Sequence, residues 1–457
     1  LTSSPAGGLL NAWIDFNRNR NWDDAGEQIF SDVAVAAGTV HRLSFPVPAE
    51  IVPGTTYARF RISTAGGLSY EGPAADGEVE DYALSLPAPE IVVGDHVLLA
   101  GAADQPVSIY VSGGHAVQGL DFFLQVADGG PEAPGGSIDG PAITSVDVIG
   151  EGGHPPTIFT GNHTGAGGTG SVVPQFWSAG TTTETGTVTA AGRLATAVFD
   201  ASGFAHTDPH NPFDLKLAGT RMGDTNFGDV PIQVTNGRLI LKCAPTAAIA
   251  GPVSVDEGGS VTLDGSGSHA CTAPDTIVAY EWDLDGDGLF GETGAAAARG
   301  DELGATPTFS AAGLDGPGTF QVQLRVKDSN YAENPLFVSQ TVTAVVNVIN
   351  VPPSIALEGA AAVNEGSIYT LTLGAIADPG SDTVTQWMVH WGDGTSDTYD
   401  SGGDKTHVYA DDNPTGTASD PQTITVDLVD EDGTHAAAGS KTITVANVPP
   451  DLIDSLP

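Results

Sequence analysis

The chain has 457 residues, of which 57 are Asp or Glu and only 15 are Lys or Arg, giving a formal net charge of −42. This balance argues against nucleic acid and anionic membrane as partners, because both would repel it, and no stretch reaches the ~20 apolar residues of a membrane helix. Gly (60) and Pro (31) are abundant but stay below the roughly 25–30 % that signals disorder, and a hydrophobic fraction of 40 % is enough for ordinary cores.

Residues 1–88 form the first predicted domain. Within "IDFNRNRNWDDAGE", Asp15, Asn17, Asn19 and Asn21 fall at every second position, followed by Asp23, Asp24 and Glu27. Oxygen side chains so spaced in a tight loop converge on one hard cation, and calcium is the expected one. Arg20 and Gly26 occupy the sixth and twelfth places, where an EF-hand needs Gly and Glu, so the loop is not an EF-hand. The alternative is an Asx-rich turn that caps its own backbone. The closing "DGEVEDY" adds Asp76, Glu78, Glu80 and Asp81, and Glu80 and Asp81 are candidates to complete the same site from across the domain. "AWIDFNRNRNWDDAGE", "TTYARFRIS" and "DGEVEDYAL" together resemble the GEVED domain of large bacterial extracellular proteins, over residues 11–86. That resemblance implies a secreted, non-enzymatic β-domain with calcium at the acidic loop. Asn19 and Asn21 stand where the family's loop is often acidic.

Residues 90–243 are predicted to form a second domain. "GLDFFLQV" alternates so that Leu120, Phe122, Leu124 and Val126 share one face, as in a half-buried strand. The pattern from "VSIYVSGG" to "TNGRLILK" resembles a cohesin-like β-sandwich. This implies a protein partner, since cohesins bind dockerin modules, but transfers no contact residue. Phe176 and Trp177 are candidates for an exposed aromatic patch, with core packing the favoured reading. His206, Asp208 and His210 alternate as transition-metal ligands do, although a loop with two chance histidines explains them better. The sequon at Asn162 is not expected to carry glycan in a bacterial chain.

The C-terminal half repeats. "NVPP" occurs at 350–353 and again at 447–450, and "VDEGGSVTL" matches "VNEGSIYTL". Units of about 100 residues built from alternating strands have the size of immunoglobulin-like sandwiches, predicted over 244–349 and 350–448. "YEWDLDGDG" sets Asp283, Asp285 and Asp287 before Gly288, the opening of a calcium loop, or else a hairpin turn that favours Asp-Gly. Residues 244–447 resemble two PKD (polycystic-kidney-disease-like) domains, through "YEWDLDGDG", "WMVHWGDGTSDTY" with Asp393, and late-strand motifs at Asp328, Asp430 and Asp432. The resemblance implies spacer or adhesion modules. By analogy with cadherin-like proteins, Glu257, Glu365, Asn347 and Asn447 are candidates for a calcium site at the joints. Cys243 and Cys271 would be bridged in an oxidising compartment.

Residues 449–457 read as a linker, and the chain reads as an interior or processed piece of a longer polypeptide. The expected fold is all-β, with β-sandwiches (immunoglobulin-like or jelly-roll-like) in tandem. No nucleophile elbow, H-E-x-x-H or P-loop occurs. The expected role is therefore a non-catalytic structural or adhesive element of a calcium-stabilised bacterial surface or filament protein, outside the cell. Its partners would be other copies, neighbouring domains, a surface protein or a polysaccharide. The alternative is a protein- or carbohydrate-binding accessory module of a larger secreted protein or hydrolase.

Overall fold

A computed structural model describes residues 7–48, 51–127, 140–164, 170–173, 176–223, 229–410 and 417–448. The expected linker at 449–457 lies outside the described residues. Among the described residues every regular element is a β-strand, and no helix is long and apolar enough to cross a membrane. The fold is all-β. It divides into two compact units, residues 1–243 with 330–337, and residues 244–329 with 338–457.

In the first unit, residues 8–86 form a four-stranded antiparallel sheet in the order Gln28–Val35, Gly8–Ile14, Gly54–Ser63, Glu78–Leu86. Ile14, Phe16, Ile51, Ala58 and Leu86 make its small core. The sequence "DGEVED" needs its glycine. Gly77 has φ +103°, and a Cβ there would stand 1.8 Å from the carbonyl oxygen of Ile62, so only glycine lets the fourth strand approach the third.

Residues 90–242 pack two sheets face to face. One runs Ala142–Asp147, Gly192–Asp200, Gln105–Ser112, Glu90–Val92, Gln233–Thr235; the other is built around Phe176–Thr182, Gly119–Val126, Phe213–Gly223 and Gly237–Lys242. Leu120, Phe122, Leu124 and Val126 all point into the core, as their alternation requires. Phe176 pairs with Gln125 on the face away from that core, where it is buried and stacks on Phe123 at 5.1 Å, while Trp177, opposite Leu124, packs half-buried against the core. The pair therefore offers no exposed aromatic patch.

His115 lies in this sandwich at 1 % exposure, and burial pushes its imidazole below the usual histidine range. Its neutral form is the one that fits, so its contribution to stability is present above the unfolded pKa near 6.5 and is lost progressively as pH falls from there through the lower folded value. The melting temperature is expected to fall between pH 7 and 5, with a shallower slope in His115→Leu. Equal slopes by calorimetry would refute the assignment.

In the second unit, the first sandwich has the sheet Val253–Asp256, Val342–Ile349, Gly318–Asp328, Ile277–Asp283 with a separate pair, Ser260–Thr262 and Thr308–Ser310. Val322, Leu324 and Val326 are fully buried beside Trp282. In the second sandwich a three-stranded sheet faces a five-stranded one, and Ile424, Val426 and Leu428 pack with Trp391, Tyr369 and Tyr409. The two sandwiches share a local device. Glu257 accepts the backbone N–H of Val351 at 2.8 Å, and Glu365 accepts that of Val448, also at 2.8 Å. Each glutamate grips the valine of the "NVPP" that leaves its own sandwich.

Candidate metal centres

The first loop leaves strand Gly8–Ile14 and returns into Gln28–Val35. Arg18 and Arg20 adopt left-handed backbone (φ 56° and 73°), alternating with Asn17, Asn19 and Asn21. Asp15 accepts the N–H groups of Asn19 (3.1 Å) and Arg20 (3.0 Å). Asn17, Asn19 and Asn21 each accept the N–H two residues on, at 2.9 to 3.0 Å, so the Asx-turn reading holds for part of the loop.

Two carboxylates remain. Asp24 accepts the side-chain amides of Asn17 (2.9 Å) and Asn19 (2.7 Å), which hold it below the usual carboxylate range. Glu27, at 2 % exposure, takes the N–H groups of Phe16 and Asn17 on Oε1, while its Oε2 is buried without a hydrogen-bond partner. Burial pushes Glu27 upward, and the charges of Asp15 and Asp24 push the same way. An unsatisfied, buried carboxylate oxygen is costly, but Asp15, Asp24 and Glu27 are not among the described carboxylate groups whose oxygens lie within 4.8 Å of one another.

In the closing strand Asp81 is engaged elsewhere. Asp81 faces Arg59 across the sheet and binds it through both oxygens, at 2.7 and 2.6 Å. Arg59 in turn lies over the Trp22 ring at 4.6 Å. Glu80, on the opposite face, pairs in register with Phe60. Expecting Glu80 and Asp81 to complete the site was wrong for Asp81, because its cross-strand arginine occupies both oxygens. Asp23 is held elsewhere too, by the Tyr70 hydroxyl at 2.8 Å.

The second loop follows Ile277–Asp283. Gly286 and Gly288 adopt positive φ (80° and 85°), and Asp283 accepts both their N–H groups, at 2.7 and 3.1 Å. Asp283 and Glu302 are fully buried. Carboxylate oxygens of Asp283, Asp285 and Glu302 lie within 4.8 Å of one another, as do those of Asp285, Asp287 and Glu292. Glu302 is anchored by the N–H groups of Leu284 (2.7 Å) and Glu292 (3.2 Å), whereas Oε2 of Glu292 is buried with no partner. Burial raises both glutamates above their usual range, with Asp283 and Asp285 adding to each.

Five carboxylates thus surround one turn. The sequence reading found Asp283, Asp285 and Asp287 but missed Glu292 and Glu302, which the loop brings back from nine and nineteen positions beyond Asp283. An all-oxygen set of this size and charge suits calcium better than magnesium, which keeps its waters and demands octahedral geometry.

The corresponding turn of the second sandwich is different. Asp393 accepts Thr395 and bonds Nε2 of His407 at 2.7 Å, and His407 stacks on Trp391 at 4.6 Å. A histidine thus takes the place where the first sandwich gathers acids. His206, Asp208 and His210 form a local turn in which Asp208 caps the N–H of His210.

Residues 9–85 match the family model described as the GEVED domain. No curated protein matches the chain. Among solved structures, a non-cellulosomal cohesin from the archaeon Archaeoglobus fulgidus is similar over 34 % of this chain and 91 % of its own, at 16 % identity and a TM-score of 0.25. A cohesin–dockerin complex from Clostridium thermocellum gives 37 % and 97 %, at 11 % identity and 0.26. Drosophila N-cadherin EC1-4 gives 96 % and 92 %, at 10 % identity and 0.25. Likeness at this level says nothing about ligand or partner.

Proposed function

We propose that the chain is a non-catalytic structural or adhesive stretch of a secreted bacterial surface protein, in which calcium fixes acidic loops of successive β-domains. The observation that carries this reading is the second loop, where two triads of carboxylates share Asp285 and a buried glutamate oxygen lacks any donor. A net charge of −42 destabilises a compact chain unless counter-ions neutralise it. Both cysteines are disulfide-bonded, a state that belongs to oxidising compartments outside the cytosol. Binding energy taken up only by the folded loops becomes folding energy, which is useful to a protein working where calcium is abundant. Neighbouring domains and further copies of the chain are its partners in this reading.

The test is calorimetric titration of the exhaustively chelated chain with calcium chloride. Saturable, submillimolar binding is expected, with one class of sites lost in Asp285→Asn/Glu292→Gln. Titrations without saturable heat, or with equal response to magnesium, would refute the calcium role.

A further inference from the structure

The second unit holds another group of acids, away from the turn at Asp283. Glu257 sits at the end of strand Val253–Asp256 at 1 % exposure, with its oxygens on the N–H groups of Gly316 and Val351, each at 2.8 Å. Against it packs the segment that follows strand Ile368–Ala377 of the second sandwich. The fit is close. A Cβ on Gly380 would lie 2.5 Å from Oε2 of Glu257, and one on Gly258 would lie 2.6 Å from Cβ of Pro379.

This packing brings together carboxylates from both sandwiches. Oxygens of Glu257, Asp378 and Asp382 lie within 4.8 Å of one another, and so do those of Asp315, Asp382 and Glu431. Asp382 belongs to both triads. Its two oxygens are shut off from solvent and neither has a hydrogen-bond partner; the same is true of Oδ2 of Asp378. Glu431 is fixed by the N–H of Thr383 at 2.9 Å, and Oδ1 of Asp378 by that of Gly380 at 2.8 Å. The chain thus positions these acids by backbone donors and leaves the oxygens between them unsatisfied.

We infer that calcium binds at this joint, with Asp382 at its centre, Glu257 and Asp315 as ligands from the first sandwich, and Asp378 and Glu431 as ligands from the second. Two observations carry it independently: two triads of acids that share Asp382, and three buried carboxylate oxygens with no donor. Buried polar atoms of that kind are nearly always satisfied in native proteins, and oxygen-only ligation by several carboxylates is calcium's chemistry. Bound calcium would tie the two sandwiches together. The inference does not rest on the loop sites.

Hydrogen exchange of the full chain, read peptide by peptide by mass spectrometry with calcium and with chelator, tests it. Peptides covering 312–320 and 376–386 are expected to exchange at least tenfold more slowly in calcium. Asp382→Asn should abolish that difference and leave any calcium effect on 283–302 intact. Asp378→Asn, which removes a charge without removing bulk, should reduce it. Joint peptides indifferent to calcium, or protected equally in Asp382→Asn, would overturn the inference, as would equal protection by magnesium. Loop peptides indifferent to calcium while the joint responds would count against the loop sites alone.

Discussion

Saturating calcium is expected to raise the melting temperature of the second unit by about 8–16 °C over the chelated chain. The figure follows from linkage. A ligand at ~1,000 times its dissociation constant stabilises the folded state by about 4 kcal/mol, and ~1 kcal/mol shifts the midpoint by roughly 2–4 °C in a unit of this size. Glu302 is the residue to change. It is fully buried, its oxygens lie within 4.8 Å of those of Asp283 and Asp285, and its ionised form is disfavoured by burial and by both aspartates. Glu302→Gln should therefore lose most of the calcium increment and melt no lower than the parent in chelator, since it removes a buried like charge. A calcium-independent midpoint in the parent would sink the idea. So would an increment that survives the substitution.

Trp282→Ala is expected to cost about 3–5 kcal/mol, the range for emptying a large aromatic from a core. Trp282 is fully buried beside Leu324 and Val322, and its Nε1 donates to the carbonyl of Gly304 at 2.9 Å. The alanine variant loses the apolar burial, leaves a cavity and orphans that carbonyl. Its neighbour Asp283 starts the acidic turn, so calcium binding there should weaken together with the fold. Val278→Ser, at a side chain that is 60 % exposed, should stay within about 0.5 kcal/mol of the parent. Urea unfolding of the three proteins decides the matter, and a loss below about 1 kcal/mol at Trp282 would contradict the core described above.

The strands were easy to read because a half-buried strand writes its two faces into alternate residues. Val322, Leu324 and Val326 show this, as do Ile424, Val426 and Leu428, all wholly buried. The acidic turns were legible in part. Asp283, Asp285 and Asp287 are neighbours in sequence and in space, so their spacing alone announces them. Glu292 and Glu302 reach the same place only because the loop doubles back onto strand Ile277–Asp283, where the N–H of Trp282 donates to the carbonyl of Glu302 at 2.8 Å. Nothing local encodes that return. Asp81 misled for a related reason. Alternation gives the face of a strand residue but not its partner across the sheet, and here that partner is Arg59. At the joint, the amide of the linker residue Asn350 bonds Asp432, while Asn347 reaches back to the carbonyl of Val253. Only Glu257 of the expected joint residues lies in the acidic group.

The grip of Glu257 on Val351, repeated by Glu365 on Val448, bears on how such a chain grows. The glutamate lies near the start of a sandwich and holds the first residues beyond its end. One segment of about a hundred residues therefore encodes both a folded body and the direction in which the next body departs. Duplicating that segment in a gene copies the exit along with the core, so a new module arrives already aimed. Tandem arrays can lengthen by recombination without a new connection having to be invented at each step.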